Sequence, residues 1–369
     1  MRRPASAGSP VVVKIGSSSL AAADGSGLSP GAVDAVAAQV TALRTAGHQV
    51  VLVTSAAVAA GLPTLGLDAR PKDLPALQAT AAVGQVQLME AYGSAFAAHD
   101  TIVGQVLLTR DVLAHREQYL HAREALARML AMGVVPIVNE NDTVVVDELR
   151  FGDNDRLAAI VTYLVAAGML VILTDTEGLF TADPRFVTDA ELLQAVRHTD
   201  AALDELRASG GAGSLGSGGV ATKVAAARMA AFGGTPTVVA AAGVADAALR
   251  AVRGEDIGTW IEPRPVALTA RKAWIAFGVG GSGTVTVDAG AARALVEGGR
   301  SLLPAGVVSS LGRFTAEAAV EVLDPSGALI AKGLVRMSNA QLAAVIGKHS
   351  SEAGGVLIHR DDLVVLTGG

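Results

Sequence analysis

Only six of the 29 basic residues are lysines, and two of them, Lys14 and Lys223, sit beside glycine- and serine-rich turns about two hundred positions apart. Lys14 falls in the apolar run Val11-Val12-Val13-Lys14-Ile15 and is followed by Gly16-Ser17-Ser18-Ser19, the pattern of a buried strand opening into a phosphate-sized turn. Lys223 closes Gly216-Ser217-Gly218-Gly219-Val220-Ala221-Thr222-Lys223 and begins an alanine-rich helix. In a chain that otherwise uses arginine, a lysine at such a place indicates a compact, mobile point charge rather than a planar fork. Two ammonium groups and the backbone N–H groups of two turns suit a phosphate chain. The sequence contains no G-x-x-x-x-G-K-[ST], so this phosphate chemistry is not of the P-loop type.

The densest polar cluster is Asn139-Glu140-Asn141-Asp142, followed ten residues on by Gly152-Asp153-Asn154-Asp155, in a chain with only 17% charged residues. It follows the apolar run Val134-Val135-Pro136-Ile137-Val138, and loops after the strands of an open α/β sheet are where ligands bind. Amides and carboxylates there can hold an amino-acid zwitterion, a carboxylate meeting the ammonium and amides meeting the carboxylate. The same residue types also serve turns, and Asp153 or Asn154 could cap a following helix. Thr54-Ser55 and Thr174-Asp175 likewise end apolar runs. Phosphoryl transfer needs mainly positioned positive charge and backbone donors. A carboxylate acceptor is already ionised at neutral pH, so no catalytic histidine is needed. Asp155 could hold both lysines by charge pairing and keep them aimed.

The elements that must position these residues are readable as short apolar runs alternating with alanine-rich stretches, the βαβ rhythm of a parallel sheet. The pattern predicts strands at 11–15, 49–54, 102–108, 134–138, 169–174 and 237–240, and helices at 30–46, 75–98, 116–131, 154–167, 222–232 and 244–252. Pro30 and Pro75 mark helix starts, and Gly47, Gly133 and Gly168 mark helix ends. After Glu262-Pro263-Arg264-Pro265 the rhythm changes to short alternating runs at 284–288, 307–310, 318–323, 329–335 and 363–366, which predicts a small strand-rich module. Gly278, Gly280 and Gly283 satisfy G-x-G-x-x-G but precede a strand pattern, so they read as a turn.

With 369 residues, 51% of them hydrophobic, the chain has material for two domains. The aromatic share of 3% suits helices packed on a parallel sheet. Zero cysteines exclude disulfides and thiolate chemistry, and the seven histidines lack zinc-ligand spacing. No apolar run approaches the roughly 20 residues of a membrane helix, and the start lacks a signal-peptide core, so a cytoplasmic protein is expected. The net charge of −6 argues against bulk attraction to nucleic acid. From residue 270 onward nine basic residues face eight acidic ones, which is no basic footprint either.

Several segments together resemble the glutamate 5-kinases of the amino acid kinase superfamily. They are Val12-Val13-Lys14-Ile15-Gly16-Ser17-Ser18, Val53-Thr54-Ser55, Ala81-Ala82-Val83-Gly84-Gln85, Asn139-Glu140-Asn141-Asp142, Gly152-Asp153-Asn154-Asp155, Leu173-Thr174-Asp175, Gly178-Leu179-Phe180-Thr181-Ala182-Asp183-Pro184 and Gly216 to Lys223. The resemblance implies an α/β class, a three-layer αβα amino acid kinase fold with a mainly parallel sheet. It implies transfer of the γ-phosphoryl group of ATP, with Mg2+, to the side-chain carboxylate of L-glutamate, giving L-glutamyl 5-phosphate in the first step of proline biosynthesis. It further implies feedback inhibition by proline and a homo-oligomer, a tetramer or dimer. Carried over, Lys14 and Lys223 contact the phosphates and Asp155 organises them. Ser55, Asp142 and Asn154 bind glutamate, with Asn139 a further contact. Lys14, Thr174, Asp175, Ser217, Gly218, Gly219, Val220, Ala221, Thr222 and Lys223 form the nucleotide site, and no residue is assigned to a metal. Two positions depart from the family pattern: Ala56 replaces a usual glycine, which makes φ > 0 costly, and Arg156 replaces a frequent asparagine.

Trp274 to Asp288, Ser301 to Val307 and His359-Arg360-Asp361-Asp362 resemble the PUA domain, a small β-rich RNA-binding fold appended to many such kinases. The expected organisation is a catalytic domain at 1–262, a linker at 263–272 and a PUA domain at 273–369. For the latter, structural or regulatory packing fits the charge balance better than RNA binding. Two other readings stand beside the main one: a kinase of aspartate, N-acetylglutamate or a phosphate monoester, and an RNA-binding or RNA-modification factor with a scaffold kinase domain.

Overall fold

The computed structural model describes residues 2–109, 113–144, 154–209, 219–348 and 355–367. The chain separates into two units, one of Met1–Val112 with Glu117–Ala267, the other of Leu113–Arg116 with Leu268–Gly369. In the first unit the elements are β1 (Val11–Ile15), α1 (Ser17–Leu20), α2 (Pro30–Thr45), β2 (Val50–Val53), α3 (Ala57–Thr64), α4 (Leu74–Ala97), β3 (Val103–Leu108), α5 (Arg116–Ala131), β4 (Val135–Glu140), α6 (Asn154–Leu164), β5 (Met169–Thr174), β6 (Ala195–Arg197), α7 (Ala201–Ser209), α8 (Val220–Phe232), β7 (Thr237–Ala241), α9 (Ala247–Val252) and β8 (Thr259–Glu262).

The eight strands form one sheet in the order β3-β4-β2-β1-β5-β7-β8-β6, parallel except where β8 runs against β7. β1 lies in its middle, paired in parallel with β2 and β5, so Lys14 sits level with Val53 on one side and Ile172 on the other. Successive side chains of a strand point to opposite faces. Val11, Val13 and Ile15 join the core that also holds residues of α2, α4 and α9. Lys14 therefore points to the other face, where α6 packs on β1.

Helix starts follow local chemistry. Ser29 caps α2 by accepting from Ala32 N, and Asp73 caps α4 by accepting from Ala76 N, each with a proline in the first turn. Gly47 and Gly133 adopt positive φ beyond helix ends as their positions predict, but Gly168 does not. After α6, which ends at Leu164, the left-handed residue is Ala166, with φ 49. The helix α6 is apolar almost all round and buried along its length, so it belongs to the interior.

Against α4 the short helix α3 packs at backbone contact. A Cβ on Gly84 would lie 1.8 Å from the Ala57 carbonyl oxygen, and one on Gly61 would lie 2.1 Å from that of Thr80. Sequence reasoning missed α3, α7, β6 and β8. α3 carries Pro63 inside it, and β6 is only three residues long with one buried side chain.

In the second unit α10 (Ala270–Ala273) runs into a π-helical turn at Trp274–Gly278, followed by β9 (Gly283–Val287), α11 (Ala289–Val296), β10 (Val307–Gly312), β11 (Ala319–Leu323), β12 (Leu329–Val335), α12 (Asn339–Ala343) and β13 (Ile358–Val365). Its five strands are ordered β10-β9-β11-β12-β13 around a separate apolar core that includes Val285, Phe314, Val320 and Ile358. The glycines Gly278, Gly280 and Gly283 lead out of the π turn into β9, so no nucleotide-binding strand-turn-helix forms there. Buried Lys332 donates to the carbonyls of Ala276 and Val279, which ties β12 to the π turn. Among the described residues no helix is long and apolar enough to cross a membrane.

The α3–α4 contact gives an internally controlled prediction. Gly84→Ala, which forces a methyl into a backbone carbonyl, should lower stability by about 2 kcal/mol or more. A Cβ on Gly93, on the same helix, would meet nothing within 4 Å. Gly93→Ala should therefore raise stability by about 0.5–1 kcal/mol through helix propensity. Urea denaturation of both variants decides it, and equal effects would contradict the packing described.

Candidate active site

At the carboxyl edge of the sheet, three buried charged groups that are distant in sequence meet. The Asp155 carboxylate, 0% exposed, lies 2.6 Å through Oδ1 from Lys14 Nζ and 3.7 Å through Oδ2 from Lys223 Nζ. Thr222 Oγ1 donates to Asp155 Oδ2 at 2.7 Å. Each partner comes from a different element: Lys14 from β1, Asp155 from the first turn of α6, and Thr222 with Lys223 from the first turn of α8. Burial alone would raise the Asp155 carboxyl, yet the charges of Lys14 and Lys223, with hydrogen bonds from Lys14 and Thr222, hold it below the usual carboxylate value. Burial pulls the Lys223 ammonium down, Asp155 opposes this, and Lys14 adds to it.

Two lysines against one carboxylate leave a net positive charge, which a phosphate would neutralise. Gly16 leaves space for it: a Cβ there would stand 3.5 Å from Lys14 Nζ, directly before the ammonium. The first turn of α8 begins after Gly219, which supplies no side-chain cap, so the N–H groups of Val220, Ala221 and Thr222 are open to an anion, while that of Lys223 donates to the Gly219 carbonyl at 3.4 Å. Asp175 is exposed at the end of β5, accepts from Thr174 Oγ1 at 3.0 Å, and contributes to the field at Lys223. Ser217 and Gly218, together with Gly152 and Asp153, lie outside the described residues.

Next to this junction is a cavity of about 480 Å³ whose polar lining includes Ser17, Ser55, Asn139, Asp142 and Asn154. Asn154 and Asp155 are adjacent at the start of α6, so this one turn serves both places: Asn154 lines the cavity and Asp155 holds the lysines. The amide of Asn154 donates through Nδ2 to Ser55 Oγ at 2.9 Å and to Asn139 Oδ1 at 3.0 Å. Its Oδ1 is buried and has no partner among the described residues, an acceptor without a donor. Asp142 is pushed up to about 6 by burial, with Arg70, which also lines the cavity, opposing. The cavity therefore presents a carboxylate suited to an ammonium (Asp142), and a hydroxyl and an arginine suited to a carboxylate (Ser55, Arg70).

The loop after β2 carries a backbone irregularity. Ala56 has φ 78 and is buried in the cavity wall at the start of α3. An alanine in the left-handed region costs roughly 1–2 kcal/mol relative to the right-handed one. The structure thus keeps the turn that a glycine would adopt freely. Arg156, the other departure, is half-buried in the first turn of α6.

Of the residues singled out in the sequence, Lys14, Asp155, Thr222 and Lys223 come together directly, as do Ser55, Asn139 and Asn154. Sequence reasoning gave no role to Arg70 or Glu140, which line the cavity, or to Gln85, whose Oε1 accepts from Asn139 Nδ2 at 2.8 Å. The signal for Gln85 lay in the segment Ala81-Ala82-Val83-Gly84-Gln85, which carries part of the family resemblance but to which no role was assigned.

Comparison with known proteins identifies the family of each part of the chain. The model of the amino acid kinase family matches residues 9–241, and that of the PUA domain matches residues 283–357. A glutamate 5-kinase of Geobacter sp. (strain M21) is 47% identical over 365 residues, covering 96% of this chain and 97% of that protein. Glutamate 5-kinases of Citrifermentans bemidjiense and Marinomonas sp. (strain MWYL1) are 47% and 45% identical over the same shares.

The buried triad predicts the effect of removing its carboxylate. Asp155→Asn leaves two buried ammonium groups without a counter-charge and should lower stability at pH 7 by about 3–5 kcal/mol. Because the folded pKa of Asp155 is depressed, its contribution is present above about pH 4 and is lost as pH falls through the folded value. The gap between wild type and variant should therefore narrow in acid. Denaturation at pH 7 and pH 3 measures it, and equal stability at pH 7 would contradict the triad.

Proposed function

Because the chain belongs to the amino acid kinase family and, within it, to the glutamate 5-kinases, we propose that it transfers the γ-phosphoryl group of ATP to the side-chain carboxylate of L-glutamate. The products are L-glutamyl 5-phosphate and ADP, in the first step of proline biosynthesis. The observation that carries this reading is the first turn of α6, where Asn154 lines a cavity roomy enough for an amino acid and Asp155 holds two lysines beside it.

The acceptor needs no general base, since a glutamate side chain with a reference pKa of about 4.3 is ionised at neutral pH. Its oxygen attacks the γ-phosphorus as the bond to the β,γ-bridging oxygen breaks, and the charge on the phosphoryl oxygens is met by Lys14 and Lys223. Asp155 is not a proton acceptor in this scheme, because its carboxyl is held ionised and occupied by its partners. It keeps the two ammonium groups in place before the phosphates arrive. Thr174, Asp175 and the segment from Ser217 to Lys223 hold the nucleotide. Ser55, Asn139, Asp142 and Asn154 hold the amino-acid end of glutamate.

Mg2+ would neutralise phosphate charge. Among the described residues no group of three or more histidines and carboxylates is placed to hold a metal, so phosphate oxygens and water would be its main ligands. Proline as feedback inhibitor, a homo-oligomeric state and a cytoplasmic location belong to the same proposal. For the PUA domain, the near balance of nine basic and eight acidic residues from 270 onward supports a packing or regulatory role over RNA binding.

A hydroxylamine trap with ATP tests the reaction: hydroxamate should form with glutamate and far less with aspartate or N-acetylglutamate. No product with glutamate would overturn the reading. In the same assay Lys223→Ala should lower kcat by about 100-fold or more, as loss of a transition-state charge does, and near-normal turnover would remove Lys223 from its role.

Asp142 sets a pH dependence. With its carboxyl pushed up to about 6, it is ionised above that pH and neutral below it. The KM for glutamate should rise as pH falls through about 6. In Asp142→Asn that rise should vanish, with KM high throughout; a wild-type KM flat between about pH 5 and 7.5 would count against the contact.

A further inference from the structure

An amide side chain has a donor end and an acceptor end, and a binding site depends on which end it shows. In this cavity one backbone group sets the order. The N–H of Glu140 donates to Asn139 Oδ1 at 2.9 Å, so that end of Asn139 is an acceptor. Asn139 Nδ2 must then find an acceptor on its other side, and it does so at Gln85 Oε1, 2.8 Å away on α4. With Asn139 fixed from both ends, Asn154 can only donate to it. Asn154 Nδ2 does so while also donating to Ser55 Oγ, which turns Asn154 Oδ1 away, buried and unpartnered. The Ser55 oxygen, already an acceptor, is left with its own proton to give.

Resting on the proposed function, we infer that Gln85 is a positioning residue for the amino-acid end of the acceptor: it acts through Asn139 to hold the amide chain Gln85-Asn139-Asn154-Ser55 in one polarity. That polarity fixes the Asn154 side chain in the cavity wall and leaves the Ser55 hydroxyl as a donor for the substrate carboxylate. The helix is well anchored to do this, with Gly84 against the Ala57 carbonyl and Tyr92 two turns on hydrogen-bonded to Thr54 Oγ1 at 2.8 Å.

A purely structural role for Gln85 fits poorly. Its Nε2 is buried with no partner among the described residues, and an unsatisfied buried donor costs stability. An apolar side chain of the same length would avoid that loss. What glutamine adds is the acceptor bond to Asn139.

Gln85→Met keeps length and bulk and removes the acceptor, whereas Gln85→Glu keeps it. The expected result is that Q85M stays close to wild type in thermal stability, because it removes the unpartnered Gln85 Nε2 and leaves Asn139 Nδ2 unpartnered in its place, while its KM for glutamate rises about tenfold, the scale of one lost hydrogen bond. Its KM for ATP and its kcat should stay within about threefold, and Q85E should restore the glutamate KM to within about threefold of wild type. The inference is overturned if the glutamate KM of Q85M stays within about twofold of wild type, if Q85E is impaired as much as Q85M, or if the KM values for both substrates rise along with a loss of stability. Wild type run alongside separates the two readings. If it makes no glutamate-dependent product, the functional reading falls and this one with it; if it is productive and Q85M is unmoved, only the inference falls.

Discussion

A carboxylate with no solvent exposure, shared by two lysines, is the constraint around which the first unit is organised. Isolated, any of the three charges would be expensive to bury. Together they are tolerable only if β1, α6 and α8 meet within a few ångströms, and each of the three elements is apolar enough to be buried there. The arrangement stays one positive charge in excess. A site that stores such an imbalance in a dry environment favours an anion strongly, since electrostatic interactions gain strength as the dielectric falls.

The same turn of α6 links charge to recognition. Asn154 and Asp155 are neighbours in sequence, so their side chains leave the helix about 100° apart, one toward the cavity and the other toward the lysines. Whatever positions α6 positions both at once. Behind the cavity wall α4 does the corresponding work, holding α3 by backbone contact at Gly84 and Gly61, the end of β2 through Tyr92 and Thr54, and Asn139 through Gln85. The amide part of the acceptor site is thus anchored to helices, Asn154 on α6 and Asn139 through α4, which is how a polar pocket keeps its geometry before a ligand arrives. Ala56, left-handed and buried, shows that this wall tolerates local strain to keep its turn.

The central strands were legible because parallel strands covered on both faces read as continuous apolar runs, as Val11–Ile15 and Met169–Thr174 do. The starts of α2 and α4 were legible from Pro30 and Pro75, and the structure adds the Ser29 and Asp73 caps. β6 and β8 were not, because strands of three and four residues leave too short a pattern, and nothing local says that β8 runs antiparallel to β7. α3 was hidden by Gly61 and Pro63, residues that lower helix propensity and that here permit close approach to α4. Ala166 takes the left-handed position that the sequence pattern assigns to Gly168.

By itself the sequence determined which groups were available: scarce lysines beside glycine-rich turns, an amide and carboxylate cluster after a buried run, and no cysteine or histidine chemistry to compete with them. Those are properties of residue type and short spacing, and they survive without coordinates. Only the tertiary structure decided which groups meet. That Asp155 bridges Lys14 and Lys223, that the Asn154 amide donates to both Ser55 and Asn139, and that Gln85 stands behind Asn139 all depend on strand order and helix packing between residues far apart in the chain. The physical reason is that hydrogen bonds and ion pairs act over a few ångströms, whereas local sequence patterns specify direction and burial along one element and say nothing of its neighbour.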